Sequence, residues 1–256
     1  MSDTVVITRP RAQAEGLAAR VAQSGRSAVV LPLLEIDPLP DQSQLRDTLA
    51  GLERYAMAVF VSPNAVDAAF AHIGQWPAQV AVAVVGEGSR AALARHGVTP
   101  ERCTIHCPPD PAFSDSEHLL ATLDLSTLHG RPVLIVRGET GRELMADALR
   151  AAGAVVTTVA AYRRRIPELT PALEAQLRAL LAGEHQWVIT SSEALRGLAG
   201  LVARLGPEDF VAKLQRQQLI VPHARIEQTA RALGFSQVTL TGSGDEGVFA
   251  ALQSQL

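Results

Sequence analysis

Residues 5–31 read VVITRPRAQAEGLAARVAQSGRSAVVL, and residues 133–159 read VLIVRGETGRELMADALRAAGAVVTTV. Laid side by side without a gap, they set Arg9 against Arg137 and Gly25 against Gly153, both at an offset of 128. Each is a short apolar run, an amphipathic stretch that closes on glycine, and a second apolar run, which is the pattern of a βαβ unit. The match continues downstream in the same order. Ser62 pairs with Ser191, and VAVVGEGSRAALARHGV at 82–98 pairs with LIVPHARIEQTARALGF at 219–235. Three matches in one order mean a duplicated unit of about half the chain each.

Outward from that repeat, short apolar runs alternate with amphipathic stretches along the whole chain, predicting an α/β protein built on parallel sheets. Strands are expected at 5–8, 28–34, 57–62, 80–85, 104–107, 133–137, 155–162, 187–191, 218–221 and 238–241. Ten strands are too many for one small open sheet, so the expected fold is two flavodoxin-like parallel-sheet domains. Two extended stretches, 33–38 and 160–166, each run into a proline and are the candidates for a two-stranded ladder joining the domains.

Composition narrows the function. At 47% hydrophobic and 19% charged, the 256 residues can fill two ordinary cores. A net charge of -3 offers no basic field, so nucleic acid is not an expected partner. Lys213 is the only lysine, which argues against Schiff-base chemistry, while the arginines suit carboxylate contacts. The start, MSDTVVITRP, enters a strand pattern at once, and no run reaches about 18 apolar residues. A cytoplasmic protein without membrane contact is expected. Two cysteines are too few for a disulfide framework.

In open α/β sheets, ligands sit outside the carboxyl ends of the strands, where helix N-termini present unpaired N–H groups. That places Arg9-Pro10, Ser62-Pro63-Asn64, Gly86-Glu87-Gly88-Ser89, Arg137-Gly138, Ser191-Ser192, the turn Pro222 to Arg225, and Thr241-Gly242-Ser243 on ligand-facing rims. Each serves equally as an ordinary helix cap; as a set they fit a ligand with several anionic groups. Gly86-x-Gly88 follows a strand that is not the first of its unit, and the repeat has Pro222 where Gly86 stands, so no dinucleotide and no other cofactor is expected. Cys103-x-x-x-Cys107 has no second ligand pair at zinc spacing, so no metal is expected. No serine lies in G-x-S-x-G. Tyr162 is one of only two tyrosines and stands on a candidate connector beside three arginines.

Taken together, VVITRP at 5–10, FVSPNAV at 60–66, VAVVGEGSRAAL at 82–93, SDSEHLL at 114–120, the 133–154 segment, the tyrosine in VAAYRRR, VITSSEAL at 188–195 and VPHARIEQTARALGF at 221–235 resemble the uroporphyrinogen-III synthase family in order and spacing. The resemblance implies two α/β domains with the active site in the cleft between them. One domain is then discontinuous, 1–35 plus 167–256, the other is 39–159, and the connector strands are 33–38 and 160–166. It implies a hydro-lyase that cyclises hydroxymethylbilane with inversion of ring D, against an uncatalysed closure that leaves ring D uninverted. Tyr162 is implied as the group that helps the substrate hydroxyl leave. Arg9, Pro10, Ser62, Asn64, Gly86, Ser89, Arg137, Gly138, Ser191, Ser192 and Arg225 are implied to bind substrate. Pro222-His223-Ala224-Arg225 departs from the family's commoner hydroxyl-bearing turn. A monomer in transient contact with the preceding pathway enzyme is expected. A two-domain binder of small anions without catalysis is the rival reading.

Overall fold

The structure, a computed structural model, describes residues 4–110, 114–206, 209–242 and 244–254. In chain order its strands are β1 (Thr4–Ile7), β2 (Ser27–Val30), β3 (Glu35–Pro38), β4 (Met57–Phe60), β5 (Ala81–Val84), β6 (Ile105–His106), β7 (Pro132–Gly138), β8 (Val155–Arg165), β9 (Gln186–Val188), β10 (Gln218–Val221) and β11 (Val238–Leu240). Its α-helices are α1 (Arg11–Gln23), α2 (Ser43–Ala50), α3 (Pro63–Phe70), α4 (Glu87–Arg95), α5 (Ser116–Thr122), α6 (Leu144–Ala151), α7 (Pro171–Leu181), α8 (Ser192–Ala203), α9 (Phe210–Gln215), α10 (Ala224–Ala232) and α11 (Gly244–Gln253).

The chain forms two compact units, Met1–Glu35 with Arg165–Leu256, and Ile36–Arg164. The first holds a five-stranded parallel sheet in the order β11-β10-β9-β1-β2. The second holds six strands in the order β3-β8-β7-β4-β5-β6, with the five strands from β8 to β6 mutually parallel. When β7 is counted as the first strand of its unit, both sheets have the 2-1-3-4-5 order of a flavodoxin-like fold. The repeat explains this. β1-α1-β2 matches β7-α6-β8, and the β4 and β5 regions match β9 and β10. Each sheet therefore takes its first two strands from one copy and the remaining three from the other.

Alternation of side chains puts each sheet between two apolar layers. In the second unit Ala58, Phe60, Val82, Val84, Leu134 and Val136 join the layer under α2, α3 and α4. Met57, Val59, Ala83, Val133 and Ile135 join the layer under α5 and α6. In the first unit Val6, Trp187, Leu219 and Val221 face α7 to α10, while Val5, Ile7, Val188 and Ile220 face α1 and α11. Burying both faces is why these strands read as unbroken apolar runs.

The strand expected over 28–34 stops at Val30. Pro32 lacks the N–H that a ladder needs, although the N–H groups of Leu31 and Leu33 still donate to the carbonyls of Ile7 (2.9 Å) and Thr8 (3.2 Å). The segment expected at 160–166 is the far end of β8, one continuous strand of 11 residues. Repeat-matched glycines have a single physical cause. Gly25 and Gly153 follow the ends of α1 and α6 at φ of +83° and +85°, and Gly97 and Gly234 follow α4 and α10 at +75° and +87°. All four close a helix in the left-handed conformation that glycine adopts without a Cβ penalty.

Candidate functional site

In the second unit the sequence-predicted residues gather at the carboxyl ends of β4, β7 and β8. Ser62 is the N-cap of α3, with extended backbone (φ -169°, ψ 162°) and Pro63 at the first helical position. Its Oγ accepts the Ala65 N–H at 3.1 Å and shares a hydrogen bond of 2.9 Å with the Tyr162 phenol. Tyr162 is 4% exposed, and its ring belongs to the layer under α3 and α4. One hydroxyl thus caps a helix and holds the phenol of a residue 100 positions away. Gly138 lies against the same ring: a Cβ at Gly138 would stand 3.1 Å from Cζ and 3.3 Å from the phenol oxygen. Asn64 is the second residue of α3 and half-buried.

Other predicted residues of this unit have different surroundings. Arg137 is buried and ion-paired with Glu143, so its guanidinium already holds an internal carboxylate. Gly86 caps α4 with extended backbone, and its missing side chain makes room for Ser114, whose Oγ would be 2.3 Å from a Cβ there. Ser89 turns inward: it is 2% exposed, and its hydroxyl makes no hydrogen bond among the described residues. An open groove of about 550 Å³ beside α4 is lined by Glu87, Arg90, Arg95, Val98, Pro100 and Ile105, among others. It includes none of the predicted site residues.

In the first unit, Pro10 stands at the N-cap position of α1, where its carbonyl accepts the N–H groups of Gln13 (2.9 Å) and Ala14 (3.1 Å). Arg9 is ion-paired with Asp245. Ser191 caps α8 through the Ala194 N–H at 3.3 Å. The Ser192 hydroxyl lies within hydrogen-bond distance of the Thr229 hydroxyl, at 3.1 Å. Arg225 is exposed in the first turn of α10, and its carbonyl accepts from the Thr229 hydroxyl at 3.0 Å. Ser243, in the last predicted rim, lies outside the described residues. Among the described residues, no group of three His, Cys, Asp or Glu is placed to hold a metal ion. Cys103 is buried, and desolvation raises its thiol pKa above the ordinary value, away from the reactive thiolate.

Sequence reasoning missed the partners rather than the rims. Glu143 lies six residues beyond Arg137, near enough in the chain to signal a pair. Asp245 is 236 positions from Arg9 and gives no local signal. Ser114 behind Gly86 is equally silent in sequence.

Comparison with known proteins supplies an independent line. A profile of the family described as "Uroporphyrinogen-III synthase HemD" matches residues 15–243. The uroporphyrinogen-III synthase of Escherichia coli (strain K12) is 32% identical over 255 residues, covering 98% of this chain and all of that protein. A crystal structure of a mutant uroporphyrinogen III synthase from the extremely thermophilic bacterium Thermus thermophilus superposes with a TM-score of 0.62 at 16% identity, covering 98% of this chain and 97% of that one. A uroporphyrinogen-III synthetase from Helicobacter pylori 26695 superposes with a TM-score of 0.65 at 12% identity over the full length of both chains. At such identities the superpositions speak for the fold.

Proposed function

This chain belongs to the uroporphyrinogen-III synthase family, and we propose on that premise that Tyr162, held by Ser62, is the group that helps the terminal hydroxyl of hydroxymethylbilane to leave. The activity is that of a cyclising lyase in tetrapyrrole and haem biosynthesis. The observation that supports the role of Tyr162 is its hydrogen bond of 2.9 Å to Ser62, a polar pair at the carboxyl rim of a sheet, beside an apolar layer.

The phenol donates its proton as the substrate's C–O bond breaks, so the hydroxyl departs as water and an azafulvene cation remains. The substituted carbon of ring D attacks that cation through a spirocyclic intermediate, which fragments and recloses in the inverted sense. The proton released as the pyrrole regains aromaticity restores the phenol, and the net change is loss of one water. Ser62 suits the phenol in both states, since its hydroxyl can accept from the phenol and donate to the phenolate. A substrate hydroxyl has to share or take the place that Ser62 holds.

Closure without inversion needs no enzyme, so the protein has only to bias a competition. A hundredfold preference corresponds to about 2.7 kcal/mol of barrier difference, within reach of orientation and one general acid. The helix N-termini capped by Ser62 and Ser191, together with Pro10 and Gly86 at α1 and α4, offer N–H donors for substrate carboxylates. Arg225 offers an exposed guanidinium. Arg9, Arg137 and Ser192 would need to exchange their internal partners to take part; Asn64 stands in the first turn of α3, and Ser89, turned inward, would have to be uncovered first.

The compact units support reading 1–35 plus 167–256 and 39–159 as the two domains, with 33–38 and 160–166 carrying the chain between them. We also propose that the enzyme works as a cytoplasmic monomer and meets the preceding pathway enzyme transiently. No helix among the described residues is long and apolar enough to cross a membrane. The decisive assay supplies freshly generated hydroxymethylbilane and separates the type I and type III products after oxidation. Type III should predominate; type I alone would refute the assignment.

A further inference from the structure

We infer that Gly138 and a one-residue slip between β7 and β8 form the device that aims Tyr162, making Gly138 a positioning residue rather than a substrate ligand. From Pro132↔Val155 to Arg137↔Ala160 the two strands pair residue by residue, and then Gly138 pairs with Tyr162, leaving Ala161 unmatched. A slip of this kind resets the alternation of side chains. Before it, Val156 packs with the α5–α6 layer, while Val159 and Ala161 belong to the α3–α4 layer. By that alternation the residue after Ala161 belongs on the α5–α6 side. Tyr162 instead joins Ala161 in the α3–α4 layer, the only side from which its phenol can meet the Ser62 cap of α3.

Gly138 makes the slip possible in space. Its own position would set a Cβ 3.1 to 3.3 Å from Cζ, Cε2 and the phenol oxygen of Tyr162. The ring cannot yield without moving the phenol, because the layer around it is closed and its oxygen is tied to Ser62. Beyond the slip, the Glu139 N–H donates to the Tyr162 carbonyl at 2.8 Å and fastens the backbone in the shifted register. Backbone strain plays no part, since Gly138 is not among the positive-φ glycines; what matters is the missing methyl.

The importance of this for the reaction rests on Tyr162 being the general acid, so the test reads the ring and the chemistry separately. With only two tyrosines in the chain, Tyr55 and Tyr162, ring-labelled tyrosine gives two sets of NMR signals, which Tyr162→Phe assigns. In Gly138→Ala, the Tyr162 ring signals should move while those of Tyr55 stay. The kcat should fall at least tenfold with KM changed less than threefold, and the type III fraction should drop. Unmoved Tyr162 signals would overturn the inference whatever the activity. Moved signals with unchanged kcat and product ratio would leave the positioning intact and refute the catalytic reading of Tyr162. If Gly138→Ala does not fold, the double variant Gly138→Ala/Tyr162→Ala should fold, because the clash has been removed; failure of that rescue would equally overturn the inference.

Discussion

The two units share one strand order and one set of helix-closing glycines, yet among the described residues only the second pairs its capping serine with a phenol. Ser62 and Ser191 are repeat partners, and both cap a helix at the third N–H beyond them. The repeat partner of Tyr162, at the offset of 128, is Leu34, and that of Gly138 is Pro10. Leu34 is buried in the apolar layer that holds Ala194. In the first unit the serine caps a helix, whereas in the second it also holds a phenol. The first unit uses its buried polar side chains for architecture: the Gln217 amide accepts the Trp187 indole N–H at 3.1 Å and donates to the carbonyls of Gly183 and Lys213. Duplication supplied two similar rims, and a few substitutions at one of them add a phenol to the capping serine.

That contrast is broken most strongly by Tyr162→Phe. Removing the phenol hydroxyl should lower kcat by about a hundredfold or more, the range of a lost general acid, while stability falls by only about 1 kcal/mol for one hydrogen bond. Near-normal turnover would return the second unit to the status of the first.

A sharper comparison sets Ser62→Ala against Ser191→Ala. Each removes an N-cap, so each should cost about 1 kcal/mol in denaturant titration. Only Ser62→Ala should also reduce kcat, by roughly tenfold, less than the loss of the general acid itself would cost. Equal kinetic losses would mean that the two rims act alike.

Glu143→Gln and Asp245→Asn test the ion pairs of the repeat-matched Arg137 and Arg9. Both carboxylates are substantially exposed, at 54% and 39% of side-chain area. The loss should therefore be about 1 kcal/mol in each unit, below the range for buried pairs. Local hydrogen exchange should place each effect in its own unit.

The smallest effect is acidification. Burial pushes the His185 imidazole below its ordinary value of 6.5, so the folded first unit favours the neutral ring. The unfolded chain then binds the proton more readily, and this part of the stability is present above pH 6.5 and declines as the pH falls below it. In the second unit, Glu117 is held below its ordinary value of 4.5, chiefly by its hydrogen bond from Arg142, so its contribution persists until the pH falls under 4.5. Hydrogen exchange between about pH 7 and about pH 5.5, a window that spans the ordinary imidazole range, should show protection lost around His185 before any loss around Glu117, and His185→Asn should flatten the first response.

Much of this was legible in the sequence because the signals are local. Apolar runs mark buried strands, serine before a helix marks a cap, and glycine after one marks its end; the offset of 128 then joins the copies. Less legible were features that need two distant segments at once. The break at Pro32 could be read from a residue that lacks an N–H, yet the unbroken reach of β8 could not. Arg9 reads as a free donor because Asp245, 236 positions away, declares itself only in three dimensions, whereas the Glu143 partner of Arg137 is close enough in the chain to have been read. Ser89 reads as a rim hydroxyl, and the turn of α4 buries it.

By itself, the sequence determined the class of fold, the duplication, the caps and the candidates, since each follows from periodicity or from the conformational limits of single residues. The repeat left open which halves share a sheet; the family resemblance implied an exchange, and the strand order of the tertiary structure has it, because parallel pairing joins strands far apart in the chain. The tertiary structure alone decided that Tyr162 meets Ser62, because that contact depends on a one-residue slip between β7 and β8. A slip of one residue changes the face of a side chain and leaves no mark in composition or spacing.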